Sequence, residues 1–121
     1  MNIMQSNQIS SIVENEIWKE IITLPNMNYL DNYEGSIAAC FYTKVEYDKL
    51  LQVSDDRKSM CDTYDEWLFQ FMKMKKGMEA KKFFVHEIFV KVEDLQAWGK
   101  KNKKKNNGTS RSQYILEFAK K

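Results

Sequence analysis

Few residues of this chain combine type and spacing in a way that could do chemistry. There is one histidine, His86, and there are two cysteines, Cys40 and Cys61. A structural zinc site needs about four Cys or His ligands in close pairs, and neither the number nor the spacing is present. Hydrolytic Ser-His-Asp or Cys-His arrangements would both have to use His86. That residue sits inside a run of aromatic and β-branched residues, where a packed or solvated strand histidine is the expected state. The acids Asp55, Asp56, Asp62, Asp65 and Glu66 could in principle hold Mg²⁺ or Ca²⁺, but they lack the alternating ligands and central glycine of a calcium loop. Acids beside helix starts, where the backbone dipole is positive, account for most of them. No catalytic set, metal site or cofactor is expected.

The remaining chemical feature is basic: Lys100, Lys101, Lys103, Lys104 and Lys105, with Arg111 and the terminal Lys120 and Lys121. Clusters of this kind neutralise phosphates and give salt-dependent affinity for nucleic acid. Cations also favour a helix C-terminus, so part of the run serves capping and solubility. Trp98 and Tyr114 are the nearby aromatics, and both fit inward helical positions, so no stacking platform for bases is expected.

The net charge of +2 conceals a strong polarity. Residues 1–66 carry −7, residues 67–97 carry +2, and residues 98–121 carry +7. Such a field can steer an acidic partner to one end of a molecule. With 121 residues, 43% of them hydrophobic, the chain is sized for one domain with a real core. No membrane span and no secretory leader are legible, so a soluble cytoplasmic protein with reduced thiols is expected. For the same reason the Asn107-Gly-Thr109 sequon is not expected to be used.

The elements that must position these residues follow from periodicity. Residues 1–11 are polar and expected to fray. Ile12, Val13, Ile17, Ile21 and Leu24 recur at helical spacing and predict a helix over 10–24, stopped by Pro25. Residues 25–35 read as a loop and Ser36–Tyr42 as a buried strand. Thr43 and Glu46 form a capping box that opens a helix carrying Tyr47, Leu50 and Leu51. Thr63 and Glu66 repeat the device before Trp67, Phe71, Met74 and Met78, the clearest amphipathic stripe in the chain, over 64–81. The polar side of that helix holds Asp65, Gln70, Lys73 and Lys76. Phe83–Val92 reads as a second strand, 93–102 as a helix with Leu95 and Trp98 inward, and Lys103–Gly108 as a basic turn. Ser110 and Gln113 suggest a third capping box, opening a final helix with Tyr114, Ile115 and Phe118 on one side. The expected fold is a single α+β domain over 1–121: a small antiparallel sheet packed against several helices, with a basic helical C-terminal segment at 98–121. Two strands make a marginal sheet, so either a third lies near 27–34 or the sheet continues across a homodimer.

Residues 84–121 resemble the ribbon-helix-helix repressors and antitoxins. The strand Glu87-Ile-Phe-Val-Lys-Val92, a helix, a turn ending at Gly108, then Thr109-Ser-Arg-Ser-Gln and an amphipathic helix carry the likeness. It implies a strand paired with a second subunit's, with Glu87, Phe89 and Lys91 on a DNA-reading face. It also implies that Ser110, Arg111 and Ser112 lie at a phosphate-contacting helix start. The reading face offers Phe89 and Glu87 where a base reader offers Arg, Asn or Gln. The functional expectation is therefore a small non-enzymatic protein that binds a macromolecule, of inhibitor, antitoxin, immunity or anti-defence type and of bacterial or phage origin. A protein partner is favoured over nucleic acid. The alternative is a nucleic-acid-binding regulator using Lys100, Lys101, Lys103, Lys104, Lys105, Ser110, Arg111 and Ser112.

Overall fold

A computed structural model describes residues 17–24 and 33–119. The organising element is β2 (Gly35–Phe41), whose five inner residues are all buried. Its sequence, Gly-Ser-Ile-Ala-Ala-Cys-Phe, alternates small side chains that let neighbouring elements approach from both faces. β1 (Ile21–Leu24) pairs with it antiparallel, Ile21 opposite Ala39 and Leu24 opposite Ser36. β3 (Phe83–Phe89) pairs with its other edge in parallel, Gly35 opposite Phe83 and Phe41 opposite Phe89. The sheet is thus three-stranded, mixed, and ordered β1-β2-β3.

Two expectations are corrected here. The sheet is not purely antiparallel, because α1 (Lys44–Val53) and α2 (Tyr64–Ala80) lie between β2 and β3. A connection that long carries the chain back to start a parallel strand. The helix expected over 10–24 is helical only at residues 17–19 among those described, and gives way to β1. Ile21-Ile22-Thr23 is a β-branched run, and pairing with a buried strand outweighs its helical spacing. The third strand is therefore at 21–24; residues 27–32 of the segment where it was sought lie outside the described residues, as does the start at 1–11.

Helices cover both faces of the sheet. Adjacent strand residues point to opposite sides, and the Phe41 ring packs on Trp67 and Phe71 of α2 at 5.6 and 5.2 Å. Cys40 points the other way, its thiol donating to the Arg111 carbonyl at 3.7 Å in α4 (Gly108–Ala119). On the α2 side Trp67 is the hub: Tyr47 and Tyr64 stack near it, both at 5.6 Å between ring centroids. Trp67, Phe71, Met74 and Met78 are all buried, as their spacing predicts. On the other side Ile115 and Tyr114 seal α4 against the sheet, while Phe118 is half-exposed and rests on the Tyr114 ring at 5.0 Å. Along β3 only Val85 is fully buried; Phe84, His86 and Ile88 are half-buried and Phe89 is exposed.

The caps differ instructively. Thr43 and Thr63 each accept from the amide three residues on, at 3.3 and 3.2 Å. Glu46 does not close its own box. It reaches across to accept from the Val92 amide at 2.7 Å, capping α3 (Val92–Lys101), whose N-cap Lys91 has no capping side chain. The last helix begins at Gly108, three residues earlier than a Ser110 cap implies. Asn107 Oδ1 accepts from the Ser110 amide at 2.9 Å, and Asp56 Oδ2 accepts from the Gly108 amide at 3.0 Å. Among the described residues no helix is long and apolar enough to cross a membrane.

Candidate interaction surfaces

The basic turn is built by the way α3 ends. Lys103 takes a left-handed conformation, φ 55°. The Lys104 amide donates back to the Gly99 carbonyl at 2.8 Å and the Lys103 amide to the Lys100 carbonyl at 3.4 Å. This is a Schellman termination with lysine where glycine is usual. Gly99 allows it, since a Cβ there would lie 3.3 Å from the Lys104 carbonyl oxygen. Lys100, Lys101, Lys103, Lys104 and Lys105 are all exposed. Among the described residues none of their ammonium groups joins an ion pair, whereas Lys44, Lys49, Arg57, Lys75 and Arg111 all do.

Beneath the turn lies a buried polar network. Arg111 is 0% exposed. Its guanidinium is bidentate on Asp56, at 3.1 and 2.7 Å, and donates to Glu20 Oε2 at 3.0 Å, to Asn106 Oδ1 at 2.8 Å and to Ser54 Oγ at 3.4 Å. Glu20, 5% exposed, accepts the Tyr42 hydroxyl on its other oxygen at 2.7 Å. The Asn106 backbone holds Asp55 twice, its carbonyl accepting from the Asp55 amide at 2.8 Å and its amide donating to the side-chain Oδ2 of Asp55 at 2.7 Å. Burial alone would pull the Arg111 pKa down; Glu20, Tyr42 and Asp56 outweigh it and hold the charge more firmly than in free arginine. The network ties the segment before β1, the loop after α1 and the start of α4 into one unit.

These positions revise the phosphate-contacting set. Arg111 is buried and saturated with acceptors, so it does not face a partner's phosphate, and Ser110 and Ser112 are buried too. The first amides of α4 are taken by Asp56 and Asn107. β3 bonds along one edge to β2 of its own chain, and Glu87 pairs with Lys75 of α2 at 2.8 Å. Ser110, Arg111 and Ser112 are thus not presented at the surface as a phosphate-contacting helix start would present them. The five lysines of the turn remain at the surface, gathered on one turn.

Both thiols are shifted away from reactivity. Burial, and then the nearby Glu20, push the Cys40 thiol well up; burial, Glu66 and Asp62 raise Cys61 to about 11. A reactive thiol needs the opposite shift. His86 Nε2 lies 3.4 Å from Ser36 Oγ, a pair that the parallel register assembles and the sequence does not announce. Ser36 is fully buried on the central strand, which closes it to a substrate. Among the described residues no three His, Cys, Asp or Glu side chains gather as metal ligands do.

A second surface was not anticipated. Phe69 is 67% exposed and Met72 41%, three residues apart on the outer side of α2. Phe69 walls a cleft of about 340 Å³ with Cys61, Asp65, Glu66 and Gln70. Among the described residues Gln70 Oε1 is buried without a hydrogen-bond partner. The helical wheel holds the signal: with Trp67 and Phe71 facing inward, Phe69 must fall among Asp65, Gln70, Lys73 and Lys76 on the polar side. Compared with protein-family models, with curated proteins and with solved structures, the chain matches none.

Proposed function

We propose that the chain is a non-enzymatic cytoplasmic protein that acts by docking another protein on the outer side of α2, in the manner of a bacterial or phage inhibitor, antitoxin, immunity or anti-defence protein. The observation that carries this reading is Phe69, an aromatic side chain two-thirds exposed on a rigid helix and beside a cleft. Aromatic anchors of this kind supply most of the energy of protein interfaces. Met72 adds an adaptable apolar neighbour. Asp65 and Glu66 place acids at the edge of this surface, while the lysine turn lies on another part of the molecule and would act on association rate.

The test is co-purification from the organism that carries the gene, comparing wild type with Phe69→Asp and Met72→Asp. Both residues are exposed, so circular dichroism should be unchanged. The reading expects a specific protein to be recovered with wild type and lost with either variant. Undiminished recovery of that protein with both variants would contradict it.

A second reading, nucleic-acid binding through residues 98–121, is favoured by one observation: five exposed lysines at the end of α3 and the turn after it, with no acidic partner among the described residues. It predicts that log K falls by about 0.9 for each phosphate contact as log salt rises.

A further inference from the structure

Three of the five lysines converge. A cleft of about 300 Å³ opens between the end of α3 and the start of α4. Lys100, Lys104 and Lys105 stand on it, together with Gln96, Ser110 and Asp55. Lys101 and Lys103 are not part of its lining. Gln96 Oε1 is engaged by Asn106 Nδ2 at 3.0 Å, which leaves the Gln96 amide hydrogens as donors. The Ser110 amide is taken by Asn107, and Ser110 itself is part of the lining. Asp55 is the one acid present, and its Oδ2 accepts the Asn106 amide.

We infer that this cleft is a binding site for a phosphate monoester, carried by a nucleotide or by the phosphorylated end of a nucleic-acid strand. The inference rests on the second reading above and narrows it. Three ammonium groups against one carboxylate leave two positive charges, the charge that a monoester dianion neutralises. An internal phosphodiester brings one negative charge and two substituents that obstruct a recess. Pockets for neutral organic ligands are mostly apolar, whereas the groups lining this one are mainly charged or hydrogen-bonding. The site is also held in shape before any ligand arrives. The Schellman turn fixes Lys104 over Gly99, and Arg111 anchors Asn106 from below through its Oδ1.

The experiment uses the full chain and four probes: inorganic phosphate, adenosine monophosphate, a short 5′-phosphorylated thymidine strand and its hydroxyl-ended twin. Binding is followed by calorimetry and by amide shifts at Gly99, Asn106 and Ser110. The phosphorylated strand should bind about tenfold more tightly than its twin, the worth of one charge-assisted contact. Lys104→Gln with Lys105→Gln should abolish the preference. Lys101→Gln with Lys103→Asn, where asparagine suits the left-handed position, should leave it intact. Adenosine monophosphate binding as tightly as the phosphorylated strand would keep the cleft and discard the nucleic-acid reading. Equal binding of the two strands, weakened alike by both lysine pairs, would keep that reading and overturn the cleft. No response to any monoester would also overturn it.

Discussion

Replacing Arg111 with methionine should be among the most damaging single changes in the chain. The side chain is completely buried and its hydrogen bonds include two to Asp56 and one each to Glu20, Asn106 and Ser54. Methionine fills much of the volume but takes the guanidinium's charge and hydrogen bonds away from Glu20, from Asp56 and from the Asn106 side-chain carbonyl. Removing one side of a buried ion pair costs about 3–5 kcal/mol, and here two acids lose the same partner. A domain of this size is stable by about 5–15 kcal/mol in all, so a large fraction of the total is at stake. Urea unfolding followed by tryptophan fluorescence measures it, with the slope against denaturant expected to stay constant and the midpoint to fall. Arg111→Lys keeps one charge but cannot span both acids, and should lose less than methionine while still falling short of wild type. A loss below about 1 kcal/mol for Arg111→Met, the range of exposed charge changes, would refute the buried network and return Arg111 to the surface.

Phe71→Ala should cost about 3–5 kcal/mol in the same assay, since its ring is buried between Phe41 and Trp67; unchanged stability would mean that the α2 stripe does not face the core. Lys103→Gly should stabilise by about 1 kcal/mol by relieving a left-handed non-glycine residue, and a melting temperature that does not rise would contradict that conformation. Stability should decline in alkali. Cys40 and Tyr42 both titrate higher when folded, chiefly through burial, so their contribution is whole below their unfolded values of 9.0 and 10.0 and is lost above them. Tyr42→Phe should flatten the decline above pH 10, and an unaltered slope in that variant would count against the assignment.

What the sequence announced was what lies within a few residues along the chain. The Trp67-Phe71-Met74-Met78 stripe behind Thr63 could be read because cap and periodicity are both local and agree. β1 could not, because Ile21-Ile22-Thr23 fits a helix by spacing and a strand by branching, and only the distant β2 decides between them. The burial of Arg111 is invisible in the same way. Its acids stand 91 and 55 residues away, and an arginine among lysines and serines reads as surface until the fold brings them together. Asp55 and Asp56 read as helix-end acids in the sequence, and their work in the fold is to hold Asn106, Gly108 and Arg111. Phe69 was the legible residue that was passed over: one turn of the helical wheel places it outside, where an aromatic side chain needs a reason.

The claim that α2 docks a protein is tested most directly by covalent capture at that surface. A photoreactive phenylalanine analogue at position 69 should, on irradiation inside cells, cross-link the chain to one discrete protein. The same analogue in place of Lys103 should give that product weakly or not at all. Cross-links confined to position 103, with none at position 69, would contradict the account.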